Sequence, residues 1–147
     1  MLKTPILHPQ ILAALGRAGH SSKILIADGN YPHHTKRGPN ADVVFLNFAP
    51  GLLNATDVLA GIANTVPIEL AEVMEPSKTG AYAMKNDPPI FDEFRKILKA
   101  RNASLDLTKL ERFAFYAAGG SPDVTLTIAT GEQRIYANIL LTIGVVM

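Results

Sequence analysis

No cysteine occurs among the 147 residues, which excludes disulfides, thiolate zinc sites and cysteine nucleophiles together and fits a reducing compartment. Nor is either charge in excess: 14 Lys and Arg stand against 13 Asp and Glu, a net charge of +1, with no basic run. A nucleic-acid binder must offset a dense line of phosphates, so that class of partner is excluded. Aromatic residues are few, at 7%. The longest apolar stretch, Ile135 to Met147, is interrupted by Asn138 and Thr142 and falls short of the roughly 20 residues that span a bilayer. It reads as a buried element, and no membrane partner is expected. Near the N-terminus His8, Pro9 and Gln10 interrupt any signal-peptide core and no small-residue cleavage site follows, so the chain is expected to be uncleaved and cytoplasmic. What is present is a 48% hydrophobic fraction, enough for a real core and too much for disorder, which implies a single domain over residues 1–147.

Pro9 and the spacing of Ile11, Leu12, Ala14, Leu15 and Ala18 predict a short helix ended by Gly16 and Gly19. The run from Lys23 to Asp28 is a buried strand stopped at Asp28-Gly29-Asn30, which places Asp28 at a strand's carboxyl end. Residues 29–40 form an aperiodic loop of a length that is often functional. A strand over Asp42 to Phe48, a helix from Asn54 or Thr56 to about Asn64, and a strand from Pro67 to Glu75 follow. Asp87-Pro88-Pro89 opens an amphipathic helix with Ile90, Phe91, Phe94, Ile97 and Leu98 on one stripe. Arg112 to Tyr116, Val124 to Ala129 and Arg134 to Ile143 read as three more strands. Helices interleaved with apolar strands imply an α/β layered fold around a largely buried sheet.

Chemistry is sought among polar residues at strand ends and on strand faces. On the expected last strand Tyr136 and Asn138 share a face about 7 Å apart, within reach of one sugar-sized ligand. Arg112 and Tyr116 share a face of theirs. The bland alternative leaves Tyr136 packed with a satisfied hydroxyl and Arg112 on an exposed edge. His20 precedes the first strand and Asp28 ends it, so the two lie at opposite ends of an extended segment. His33 and His34 with His20 and Asp28 suggest a metal site, but no recognised ligand spacing is present and no metal is expected. No glycine cradle joins a strand to a helix, and no Gly-x-Ser-x-Gly elbow occurs, so nucleotide binding and serine hydrolysis have no support.

Taken together, Gly19-His20, the segment Lys23 to Pro32, Arg112-Phe-Ala-Phe-Tyr116, and the terminal block from Thr130-Gly-Glu through Tyr136-Ala-Asn138 to Gly144 resemble the RbsD/FucU family of sugar mutarotases, in its fucose branch. The resemblance covers nearly the whole chain in order. It implies a three-layer α/β domain, a mixed sheet flanked by helices. The implied activity is anomer interconversion of a free monosaccharide, most simply L-fucose, without cofactor or metal. It further implies pentameric rings or decamers with sites at subunit boundaries. By motif, His20 matches a proton donor, Asp28 and Arg112 match substrate contacts, and Tyr136, Ala137 and Asn138 match the terminal binding block, with Tyr136 as a second acid/base or an orienting hydroxyl. Glu69 and Glu72 receive no role. Two other readings remain: a non-catalytic sugar-binding accessory of a transport system, and a metal-dependent sugar isomerase using the histidines.

Overall fold

In the computed structural model, which describes residues 1–146, Lys23–Ala27 form the first strand, β1. Met147, the last residue of the apolar stretch, lies outside the described residues. The alternation of β1 sets the layering. Ile24 and Ile26 enter one hydrophobic core while Leu25 and Ala27 enter another on the opposite face, and all four are fully buried.

Five more strands join it: β2 (Asp42–Phe45), β3 (Ile68–Met74), β4 (Leu107–Leu110), β5 (Val124–Ala129) and β6 (Ile139–Ile143). Their order across the sheet is β2-β5-β1-β6-β3-β4. β6 runs antiparallel to both of its neighbours, whereas β1–β5, β2–β5 and β3–β4 are parallel. The sheet is therefore mixed, and its central strands carry apolar residues on both faces.

The helices α1 (Pro9–Arg17), α2 (Ala55–Ala63) and α3 (Ile90–Lys99) cover one face. Each presents an apolar stripe: Ile11, Ala14 and Leu15 from the first, Val58, Leu59 and Ile62 from the second, Phe91, Phe94 and Leu98 from the third. α4 (Arg112–Gly119) lies on the other face and seats Phe115 among Leu25, Ala27, Met74 and Leu140. This is the three-layer α/β arrangement expected of the sequence. Among the described residues no helix is long and apolar enough to cross a membrane.

Three expected elements differ. Arg112 to Tyr116 is helical, because the Glu111 carboxylate caps the segment by accepting from the amides of Phe113 and Ala114 at 2.8 and 3.3 Å, and three alanines favour the helix. The alternating phenylalanines suggested a strand over too short a window. Phe115 is buried but Phe113 is 72% exposed. The sheet position assigned to that segment belongs to β4, a four-residue edge strand beside β3 that carries no alternation the sequence could reveal. The last strand begins only at Ile139, and residues 134–138 belong to a connection, so Tyr136 and Asn138 do not share a strand face. The second strand likewise stops at Phe45 rather than Phe48.

That connection is dictated by topology. β5 ends at Ala129 beside Ala27, and β6 starts at Ile139 beside Ile26. Residues 130–138 must therefore arch over the carboxyl end of β1, across two strand spacings or about 10 Å. Phe115 supports this end of the sheet from the second face. Phe115→Ala is expected to cost about 3–5 kcal/mol of stability, measured by urea unfolding; a loss under half of that would mean α4 is not anchored through this ring.

Candidate functional site

The arch is built from the Thr130-Gly131-Glu132 motif outward. Thr130 gives both its amide and its hydroxyl to the Ala27 carbonyl, at 3.0 and 2.8 Å, and so closes the end of β1. Gly131 sits against the carbonyl oxygens of Ala49 and Leu52, and any Cβ there would collide with them. Its amide donates to Leu53 O, and its carbonyl accepts from the Gly51 amide. Glu132 then turns inward. Its side chain is 3% exposed, and its oxygens accept from the amides of Gln133, Arg134 and Ala55 and from two nitrogens of the Arg134 guanidinium. Burial alone would raise the Glu132 carboxyl; the Arg134 guanidinium and the amides outweigh it and hold the group below its ordinary value. Arg134 extends the network to Glu93 on α3 at 2.6 Å.

With its first half fixed, the arch delivers Tyr136 and Asn138 to Asp28. Tyr136 has φ +60°, a left-handed conformation that a bulky residue adopts only when its surroundings impose it. Asn138 pairs with both the backbone amide and the carboxyl of Asp28. Its Oδ1 accepts from the Asp28 amide at 2.8 Å, and its Nδ2 donates to Asp28 Oδ2 at 2.9 Å. The other carboxylate oxygen accepts from the Asn30 amide at 2.9 Å. Asp28 is 2% exposed. Burial raises its carboxyl above the ordinary value, against the opposing effect of Asn30, the Ala137 amide and Asn138.

Above this pair lies a cleft of about 360 Å³, in the size range of small-molecule sites. Asp28, Asn30, Asn138 and Arg112 supply its polar groups, and Tyr31, Tyr116, Tyr136, Met74 and Ile135 supply ring and apolar surface. Arg112 and Tyr116 remain on one face although their segment is a helix, since residues four apart are neighbours there. The guanidinium lies 5.9 Å from the Tyr116 ring centroid, within cation–π range. Tyr31 packs edge-on to Tyr116 at 5.7 Å. A Cβ on residue 119 would meet the Tyr31 hydroxyl at 2.8 Å, which explains glycine at that point of α4. The last wall is the segment between β3 and α3, with Ser77, Thr79, Gly80, Ala81 and Tyr82.

Of the residues singled out in the sequence, Asp28, Arg112, Tyr136 and Asn138 meet in the cleft. Ala137 is fully buried in the core and reaches the site only through its amide beside Asp28. His20 is elsewhere. It lies before the opposite end of β1, on the order of 15 Å of strand away, where Nε2 is 3.1 Å from Glu69 Oε2 and both side chains are exposed. Glu72 pairs with Lys23 at 3.0 Å on the second face of the sheet. His33 stacks on Tyr31 at 5.7 Å, and among the described residues no three His, Cys, Asp or Glu side chains gather as a metal-binding group. Tyr31 lies within the motif segment Lys23 to Pro32 without a role assigned to it there, and no motif marks the 77–82 segment.

The raised Asp28 carboxyl has a measurable sign. Between its ordinary value of 3.8 and its higher value in the fold, the folded protein holds a proton that the unfolded chain has released, so stability falls as pH rises through that window. Asp28→Asn lacks this titration. The stability of the native protein relative to the variant should therefore decline from pH 3.5 towards neutrality in urea unfolding; parallel curves would show that burial does not disfavour the charge. Glu132→Ala should cost about 1–3 kcal/mol, the penalty for leaving buried amides unpaired, in the same assay.

Known proteins share this fold. The chain is 28% identical to the fucose mutarotase of Danio rerio over 155 residues, covering 96% of this chain and 90% of that one. Its structure superposes with a TM-score of 0.82 on the fucose mutarotase of Streptococcus pneumoniae in complex with L-fucose, at 25% identity over the whole of both chains. It superposes with a TM-score of 0.76 on Bacillus subtilis RbsD complexed with D-ribose, at 26% identity, again over the whole of both. The family model for the RbsD / FucU transport protein family matches residues 1–146, and the chain belongs to that family.

Proposed function

We propose that this protein is a mutarotase that interconverts the α and β anomers of a free monosaccharide, with L-fucose as the first candidate, by acid–base opening and reclosing of the hemiacetal ring. The observation that carries the reading is the Asp28–Asn138 pair at the floor of a sugar-sized cleft, with Arg112 at its side. Relatives named for fucose and a structural neighbour holding D-ribose support a monosaccharide ligand.

Ring opening needs a proton placed on the ring oxygen and another removed from the anomeric hydroxyl. The bond from C1 to the ring oxygen breaks as the aldehyde forms, and closure on the other face reverses both transfers. Neither a redox step nor a covalent enzyme intermediate is required. Among the described residues Asp28 is the one carboxyl in the cleft lining, and a carboxyl raised by burial is a better base than a free one. It takes the anomeric proton. Arg112 and the Asn138 carboxamide orient sugar hydroxyls. The Tyr136 hydroxyl already donates to the Tyr82 carbonyl at 2.8 Å, so of its two expected roles the orienting one fits. His20 donates the other proton, and it must come from a neighbouring subunit because its own cleft lies at the other end of β1. A ring or decamer with sites at subunit boundaries supplies that neighbour in the cytoplasm.

A binding-only role in sugar transport is the second reading, favoured by the transport description of the family. Saturation-transfer NMR on L-fucose and D-ribose at substoichiometric protein separates them. Faster anomer exchange is expected with the native protein, falling by about 100-fold or more in His20→Ala. Sugar binding with no exchange would favour transport. Co-refolding His20→Ala with Asp28→Asn should restore exchange if His20 serves a neighbouring cleft, and should leave it absent if each subunit uses its own.

A further inference from the structure

The segment from Glu75 to Pro89 joins β3 to α3 without a strand or helix of its own, yet it is not a loose surface loop. Its Ser77 amide donates to the Tyr136 hydroxyl at 3.1 Å, and that hydroxyl donates in turn to the Tyr82 carbonyl at 2.8 Å. The same strap is cross-braced internally. The Met84 amide donates to Ser77 O at 2.9 Å, the Ala83 amide to Gly80 O at 3.2 Å, and the Ser77 hydroxyl to Thr79 O at 2.7 Å. Between the two points where Tyr136 holds it, the strap presents Thr79, Gly80 and Ala81 to the cleft, with the Tyr82 ring beside them. Tyr82 is 69% exposed, an aromatic face on a site wall with most of its surface free. Tyr136, which holds the strap, is also the residue kept at φ +60°, a conformation that persists only where the surroundings impose it.

We propose that residues 77–82 are the specificity wall of the sugar site, that Tyr82 packs its ring on the apolar face of the bound sugar, and that the Tyr136 phenol is the latch holding this wall in register. Tyr136 on this account is a positioning residue that acts through the strap. The proposal rests on the sugar-binding reading above and adds to it the residues that select the ligand. Its chemistry is that of a monosaccharide edge lined by C–H groups, opposite the hydroxyls held by Asp28, Asn138 and Arg112.

Three measurements on the intact protein test it: L-fucose affinity by NMR titration, anomer exchange against sugar concentration, and amide hydrogen exchange over 77–84. Tyr136→Phe removes both latch bonds and keeps the ring. It should speed amide exchange in the strap by about tenfold or more, the equivalent of one or two net hydrogen bonds. It should also weaken the apparent affinity by a larger factor than it lowers the rate at saturating sugar. Tyr82→Ala, whose ring lies outside the core, should weaken affinity by about five- to twentyfold and alter the preference between L-fucose and D-ribose. A Tyr136→Phe protein with native affinity and a native strap but a much reduced saturating rate would overturn the latch and make the phenol an acid/base. Native affinity and preference in Tyr82→Ala would overturn the wall. A native protein that binds sugar without exchanging its anomers would overturn the mutarotase reading alone, since the affinity and amide measurements still decide the wall; one that binds neither sugar would overturn both.

Discussion

The carboxylate of Glu132 holds the candidate site together without entering it. It is the single buried acceptor on which the first half of the arch converges, taking amides from its own loop, the first amide of α2 and the guanidinium of Arg134. A buried charge is costly unless its lone pairs are filled, and here the Ala55 amide ties the arch to α2 while Arg134 ties it through Glu93 to α3. The arch can therefore take up only one path over the end of β1. That path sets where Tyr136 turns into its left-handed conformation and where Asn138 meets Asp28. The motif Thr130-Gly131-Glu132 is thus a folding device whose chemical effect appears four to six residues later.

Around that device the sheet acts as a rigid frame. Reversal of β6 between β1 and β3 brings the start of β6 next to the end of β1, so two segments more than a hundred residues apart in sequence share one polar pair. The larger apolar core lies between the sheet and the helices on the first face. The second face is thinner at this end, with Phe115 and Tyr31 as its main buried rings. The cleft opens where that second layer runs out.

Much of this was legible beforehand. β1, β3, β5 and the three helices of the first face follow from apolar periodicity over windows long enough to be unambiguous. The failures have distinct causes. Arg112 to Tyr116 offered two phenylalanines at strand spacing, but the Glu111 cap and the alanines decided in favour of a helix, and the Arg112–Tyr116 juxtaposition survived because both periods place those residues together. β4 is defined by its partner rather than by its own residues. The arch reads as the start of β6 because Ile135 and Ala137 continue the apolar run of that strand backwards; the topology shows that they bridge two strands. Asp28, Arg112, Tyr136 and Asn138 were found as residue types at strand ends or in motifs, whereas the 77–82 strap has neither periodicity nor motif. His20 was correctly placed far from Asp28, and its partner there, Glu69, had no signal in the sequence.

The strap hangs from the sheet at β3 and returns at α3, and between those anchors its contact with Tyr136 uses its own backbone N–H and C=O. Backbone groups are indifferent to side-chain identity, and doubling a flexible loop costs only about 0.6 kcal/mol in closure entropy. The Asp28 end of the cleft, fixed by a buried carboxylate and a sheet register, has no such latitude. In evolutionary terms the two ends are decoupled: residues 78–82 can be exchanged or lengthened while Asp28 and Asn138 stay where the sheet puts them.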